Sequence, residues 1–252
     1  MIIGSNILFF QNLPSTNSHA LDLLKNSKLP EGTILCTNYQ SAGKGYSGNK
    51  WESEDGKNLL ISIILYPSFI KPEDQFLISM IASLGVCDFL MRFIPDCSIK
   101  WPNDIWVNND KIAGLLLESS LAGNEIEFTV AGIGLNINQK KFLSNAPNPV
   151  SLNQLTGESY DLPSSLEILS GDLDKRYKQL IRGNYGEIKR DYVSKLYRLN
   201  EWHEFRDKNG KFTGRILTVG DYGRLIIEKQ NGEISEYSFK ETEFIPWRFS
   251  NP

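Results

Sequence analysis

The run Asn58–Tyr66, NLLISIILY, constrains this chain more than any other stretch. It is dense in Ile and Leu, lies between Gly56 and Pro67, and falls far short of the ~20 apolar residues that cross a bilayer. It reads as a buried strand. From Lys71 to Phe93 the apolar residues Phe76, Leu77, Met80, Ile81, Leu84 and Phe89 recur at helical spacing behind Pro72, which suits a first helical turn. A buried strand followed by a helix with an apolar face begins a globular core. A length of 252 residues allows one large domain, or one medium domain with a small appendage.

The opening MIIGSNILFFQ lacks a basic leader and a small-residue cleavage site, and predicts a first strand. Ser15, Thr16 or Asn17 can each cap a helix predicted from Ala20, Leu21 and Leu24, with Leu13 as its staple. Gly32–Thr37 predicts a strand, and residues 40–51 a polar, Gly-rich loop. Four more strands are predicted at Ser98–Trp101, Ile105–Val107, Gly114–Ser120 and Ile126–Asn136, with Asn108-Asn109-Asp110 as a hairpin turn. Residues 144–165, rich in Pro, Ser and Asn, predict a surface connection. Leu166–Ile181 and Tyr185–Leu199 predict two amphipathic helices. From about Glu201 the apolar period drops to two. Turn signals at Asn209-Gly210, Asp221-Tyr222-Gly223 and Asn231-Gly232 divide this tail into a small antiparallel barrel that needs the main domain beside it.

Composition narrows the function classes. Lys and Arg number 27 against 30 Asp and Glu, a net charge of −3, without the basic stripe of a general nucleic-acid binder. No segment is apolar enough for a membrane span. Cys36, Cys87 and Cys97 are odd in number and lack a CxxC spacing, which predicts buried free thiols in a reducing cytoplasm. His19 and His203 stand far apart and form no metal pattern.

Gly43-Lys44-Gly45-Tyr46-Ser47-Gly48 matches G-x-G-x-x-G letter for letter. Residues 49–56, immediately after it, have no apolar helical face and lead into a strand, so the dinucleotide reading fails. The kinase reading fails as well, because no HRD or DFG partner lies downstream. A flexible anion-wrapping loop helped by Lys44 and Lys50 remains, with a plain surface loop as the structural alternative. In Lys100-Trp101-Pro102-Asn103-Asp104, the proline stiffens a turn from which Asn103 and Asp104 project. Asn103 offers a donor and an acceptor, and Asp104 can orient an amine or hold Mg²⁺. Lys111, before Ile112-Ala113-Gly114, is suited to neutralise a growing negative charge. Gly132 and Gly134 let a ligand lie against the backbone of a strand, beside Asn136, which can read an adenine edge. Standing alone, these read first as an ordinary Asx turn, a solvated lysine at a strand end and a bulged strand.

Taken in order, Ser15-Thr16-Asn17, then Gln40-Ser41-Ala42-Gly43-Lys44-Gly45 with Gly48 and Trp51, then KWPND with Lys111-Ile112-Ala113-Gly114, then Gly132-Ile133-Gly134-Leu135-Asn136 resemble the biotin protein ligase (holocarboxylase synthetase) family over residues 10–140. The resemblance implies an α+β fold. A class II aminoacyl-tRNA synthetase-like catalytic domain with a mixed sheet and flanking helices would span 1–199, and a small SH3-like β-barrel 200–252. It implies ATP-dependent activation of biotin as biotinyl-5′-AMP and transfer to a lysine of a biotin carboxyl carrier protein, with ATP and Mg²⁺ required.

Carried onto this sequence, the family pattern assigns Lys111 and Asp104 to catalysis. Ser15, Thr16, Asn17, Gln40, Gly43, Lys44, Gly45, Tyr46, Lys111, Gly114 and Gly132 would bind biotin. Lys44, Lys50, Trp51, Asn103, Lys111 and Asn136 would bind ATP, and no residue set is assigned to a resident metal. The family's loop is arginine-rich, GRGRxGR, and here it reads GKGYSGN, so three guanidinium forks are missing. The nearest alternative is a lipoate or octanoate ligase on the same fold. A biotin-sensing repressor would need a DNA-binding domain, for which the few residues before the first strand leave no room, and no nucleic-acid partner is expected. A nucleotide-binding module without chemistry is the third alternative.

Overall fold

The computed structural model describes residues 1–144 and 148–245. Residues 145–147 of the expected connection and 246–252 of the expected tail domain lie outside the described residues. The elements are β1 (Ile7–Leu13), α1 (Thr16–Leu24), β2 (Ile34–Gln40), β3 (Leu59–Leu65), α2 (Phe76–Leu90), β4 (Ser98–Lys100), β5 (Asp104–Val107), β6 (Asp110–Ala122) and β7 (Glu125–Leu135). They continue with α3 (Leu152–Thr156), α4 (Leu162–Ile181), α5 (Tyr185–Ser194), β8 (Trp202–Asp207), β9 (Gly210–Val219), β10 (Leu225–Lys229), β11 (Ile234–Tyr237) and β12 (Glu243–Phe244).

Among the described residues, seven strands form one sheet in the order β1-β2-β3-β7-β6-β5-β4. The β1–β2 pair is parallel and the others are antiparallel, so the sheet is mixed, as expected. The apolar run became β3, buried along its whole length between β2 and β7. Its alternate residues serve two faces. Leu59, Ile61, Ile63 and Leu65 enter the main core with α2, and Ile64 packs with Ala20, Leu35 and Val130 on the α1 side. Each fully buried Leu or Ile contributes roughly 1.5–3 kcal/mol.

Helix α2 is buried all round except at Asp88, because α4 and α5 cover the side turned from the sheet. Asp88 accepts from Arg176 of α4 at 2.6 and 3.0 Å, and Arg176 also donates to Asp191 of α5 at 2.6 Å. Pro72 opens a separate short turn, Pro72–Asp74, and the helix proper starts at Phe76. Helix α4 starts earlier than its apolar pattern suggests, at Leu162, because Asp161 caps Ser164 N–H at 2.9 Å. Helix α5 stops at Ser194, where the following residues leave to bridge Ile99 of β4. The Pro-rich connection is not wholly on the surface. It contains α3, opened by a capping box at Ser151, and it buries Val150 and Leu152.

The tail forms a second, five-stranded antiparallel sheet, β11-β10-β9-β8-β12, in line with the SH3-like expectation. Among the described residues no helix is long and apolar enough to cross a membrane. Cys36, Cys87 and Cys97 are free and buried.

Candidate active site

The α1 face of the sheet is only partly covered, and a cavity of about 230 Å³ opens beside the helix. Its floor is made where β6 and β7 present glycines. Gly114 pairs directly with Gly134, and Gly132 pairs with Leu116 on one side and Ser62 on the other. A methyl group at these positions would collide: 2.2 Å from Asn17 Oδ1 at Gly132, 2.4 Å from the Trp51 indole at Gly134, and 2.9 Å from it at Gly114. Glycine is required here for close approach.

One wall is polar. Ser15 caps α1, its hydroxyl accepting from Ser18 N–H. Gln40 Oε1, at the end of β2, accepts from Thr16 N–H at 2.8 Å and from Thr16 Oγ1 at 3.1 Å. Asn17 Nδ2 donates to Leu116 O at 3.0 Å and to Glu118 Oε2 at 2.8 Å, which turns its Oδ1 toward the Ser62 hydroxyl, 2.6 Å away. Ser15, Thr16, Asn17 and Ser62 are all buried. Buried polar groups are costly unless paired, so Thr16, Asn17 and Gln40, tied together through Ser62 behind them and facing a cavity, form a built recognition surface. Ser62 and Glu118 were not singled out in the sequence, where Ser62 interrupts an apolar strand and carries no other signal.

The opposite wall is the KWPND turn. Asn103 donates to Leu115 O and its carbonyl accepts from Leu115 N–H at 2.9 Å, locking the turn to β6. Tyr192 of α5 donates to Pro102 O at 3.1 Å. Lys111 lies inside β6, one residue past its start, rather than before the strand. The β5–β6 register skips at Ile105/Trp106, so Ile112 and Ala113 both enter the core and Lys111 returns to the cavity face beside Asp104. Lys111 Nζ lies 2.7 Å from Asp104 Oδ1, and each side chain is 27% exposed. The ammonium also sits 5.6 Å from the Trp51 ring centroid. The connection after β7 fixes this lysine's backbone: Lys111 N–H donates to Asn148 O at 2.7 Å, and Val150 N–H to Lys111 O at 2.9 Å.

The Gly-rich loop is folded on itself. Lys44 and Lys50 bridge, Gly45 N–H donates to Asn49 O at 2.7 Å, and Trp51 N–H donates to Gly43 O at 2.9 Å. Those N–H groups are therefore engaged within the loop rather than aimed at an anion. Lys44, Gly45, Tyr46, Lys50 and Trp51 line the cavity. Burial raises the Tyr46 phenol above its usual range. Gly43 is buried beneath the loop, where a methyl group would lie 2.5 Å from Trp51 O. Asn136 is also outside the lining: it is buried, and its Nδ2 donates to Val150 O at 3.0 Å, tying β7 to the connection. The other expected site residues, Ser15, Thr16, Asn17, Gln40, Asn103, Asp104, Lys111, Gly114 and Gly132, converge on this one cavity.

Among the described residues no group of three or more His, Cys, Asp or Glu forms a metal cage. Of the described residues that line the cavity, Asp104 is the one carboxylate. A Mg²⁺ ion that enters with a polyphosphate keeps mostly phosphate and water oxygens and needs little more from the protein.

A polar wall, a glycine floor and a lysine–aspartate pair on a mixed sheet make a pocket suited to a small polar ligand with an anionic group. The chain belongs to the Biotin/lipoate A/B protein ligase family, which residues 9–136 match. Within that family its relatives include the bifunctional ligase/repressor BirA of Bacillus subtilis, 28% identical over 243 residues, covering 94% of this chain and 74% of the relative. Another is the biotin–[acetyl-CoA-carboxylase] ligase of Paracoccus denitrificans, 28% identical over 235 residues, covering 86% and 92%. Among solved structures, the biotin protein ligase from Aquifex aeolicus in complex with biotin and ATP aligns with a TM-score of 0.79 at 26% identity, covering 95% of this chain and 98% of that one.

Proposed function

We propose that this chain is a biotin–protein ligase. It joins biotin and ATP to give biotinyl-5′-AMP and pyrophosphate, then transfers the biotinyl group to a lysine of a biotin carboxyl carrier domain. The observation that carries this reading is the Lys111–Asp104 pair at 2.7 Å, set at one end of a cavity whose other wall is Thr16, Asn17 and Gln40, braced from behind by Ser62. The ureido ring of biotin matches the polar wall, and its carboxylate would reach toward Lys111.

In the first step the carboxylate oxygen attacks the α-phosphorus and the bond to the bridging oxygen of pyrophosphate breaks. Two anions must meet, and Lys111 offsets their repulsion in a site partly shielded from water. Trp51, Asn103, Lys44 and Lys50 are assigned to the nucleotide side. Mg²⁺ would arrive with ATP, with Asp104 as the carboxylate within reach. In the second step a carrier lysine amine attacks the acyl carbon, the C–O bond to AMP breaks, and the ammonium gives up its proton. Asp104, released from Lys111 when the anions bind, would orient that amine or the metal.

Residues 1–199 are assigned as the catalytic unit and 200–252 as the C-terminal one. Three buried free thiols suit a reducing, cytoplasmic compartment. Incubation with ATP, an apo-carrier and either biotin or lipoate tests the reading. An adduct of about 226 Da, biotin less water, on a carrier lysine is the expected outcome. A lipoyl adduct with no biotinyl adduct would replace it with the lipoate reading. Lys111→Ala should lower pyrophosphate release about a hundredfold or more with the fold retained; turnover within a few-fold of the parent would remove Lys111 from its role.

A further inference from the structure

The second sheet meets the Gly-rich loop through an aromatic side chain. Phe239 lies in the turn between β11 and β12, and its ring meets three others: Tyr46 of the Gly-rich loop edge-on at 5.9 Å, Trp101 of the KWPND turn at 5.2 Å, and Phe76 of α2 at 5.8 Å. The turn is held firmly. Glu241 N–H donates to Ser238 O at 3.1 Å, and Ser238 N–H to Glu241 Oε2 at 2.7 Å. A second tie secures the same corner, because Trp101 Nε1–H donates to Gly223 O at 2.8 Å. Tyr46 lines the cavity and stands where the family's loop is arginine-rich. What a guanidinium cannot do here by a charge-assisted bond, an edge-on aromatic pair does by packing.

We propose that Phe239 is a positioning residue that latches the 43–51 loop shut, so that the C-terminal sheet governs how long the activated intermediate stays in the cavity. This rests on the ligase reading above. Retained, the mixed anhydride meets a carrier amine, forming C–N and releasing AMP. Released, its acyl carbon meets water, and biotin and AMP are returned without transfer.

The experiment preloads the full chain with biotin and labelled ATP in the presence of pyrophosphatase, then follows loss of bound label in a chase. Phe239→Ala should lose its intermediate about tenfold faster than the parent, equivalent to ~1.4 kcal/mol, while first-turnover pyrophosphate release stays within a few-fold. Tyr46→Ala should lose it comparably. The double variant should be no faster than either single one, since both remove the same contact. Phe239→Tyr should behave as the parent. Hydrogen exchange of the loop amides, measured without substrate, should quicken in Phe239→Ala and not in Phe239→Tyr. Parent-like retention, unchanged loop exchange, or additive losses in the double variant would overturn the latch. If the parent forms no intermediate from biotin, the ligase reading fails and loop exchange alone decides the latch. Should Phe239→Ala not melt cooperatively, Phe239→Leu, which keeps bulk and removes the ring, takes its place under the same criteria.

Discussion

At the scale of residues, the site depends on a few atoms that leave no room for a methyl group. An alanine at Gly132 would put its Cβ 2.2 Å from Asn17 Oδ1, so Asn17 must leave Ser62. Gly132→Ala is expected to raise KM for biotin about tenfold, the loss of roughly one good hydrogen bond, and to lower stability by about 1–3 kcal/mol, because Ser62 loses a buried partner. An unchanged KM would show that Asn17 does not face the ligand. Lys100 offers a separate test. Its ammonium is held 4.0 Å from the Trp106 ring and 5.2 Å from Phe244. Burial lowers it from the usual 10.5 to about 8, with Asp104 opposing the shift. The charged form is penalised in the fold, fully so below about 8. Between about 8 and 10.5 the unfolded chain binds more protons, so stability attributable to Lys100 rises with pH. Denaturant titrations of the parent and Lys100→Met at several pH values should show the parent gaining on the variant across that interval; parallel curves would contradict the burial of this amine.

Chemistry-bearing residue types were legible before the structure, and their geometry was not. Lys111 was identifiable from its spacing after KWPND, but the skipped register that turns it to the cavity is invisible in Ile112-Ala113, which read as ordinary strand residues. Ser62 and Glu118 carry no pattern because their role exists only once β3, β6 and α1 meet. Asn136 suggested a ligand contact, yet its amide donor is used by Val150 O, a partner contributed by a connection whose composition signalled only surface.

At the scale of elements, periodicity located the main strands and helices and missed their ends wherever a partner elsewhere in the chain decides them. Leu196 and Tyr197 fit the pattern of α5 and instead pair with β4. The helical layer behind the sheet is fastened by Arg176, whose side chain is 16% exposed and touches acids on both α2 and α5. Asp88 and Asp191 hold its guanidinium well above the ordinary arginine range. Arg176→Ala leaves two half-buried carboxylates facing each other and should cost about 2 kcal/mol. Chemical denaturation checks this, and a loss under a few tenths would mean solvent already screens the trio.

At the scale of the whole molecule, the two sheets meet beside the candidate site. Trp101 belongs to the KWPND turn and donates to the tail at Gly223, and Phe244 of the tail lies over Lys100. Trp101→Phe keeps the ring contact with Phe239 and removes the donor, so it should lower stability by about 1 kcal/mol and still unfold in one transition. Two separated transitions in the parent itself would show that the sheets melt independently. The turn signals revealed that a small sheet would come after the helices, but nothing in a period of two says which residue of that sheet touches the loop.

The glycine floor has a consequence for how such a chain can diverge. Peptide planes have no rotamers, so a base made from Gly114, Gly132 and Gly134 cannot reshape itself around a different guest. A descendant recruited to another acyl group would have to alter its sides, the turn before α1 or the lid at 43–51, while its foundation stayed fixed. Laboratory selection for new substrates should therefore gather substitutions around the rim and leave those three positions untouched.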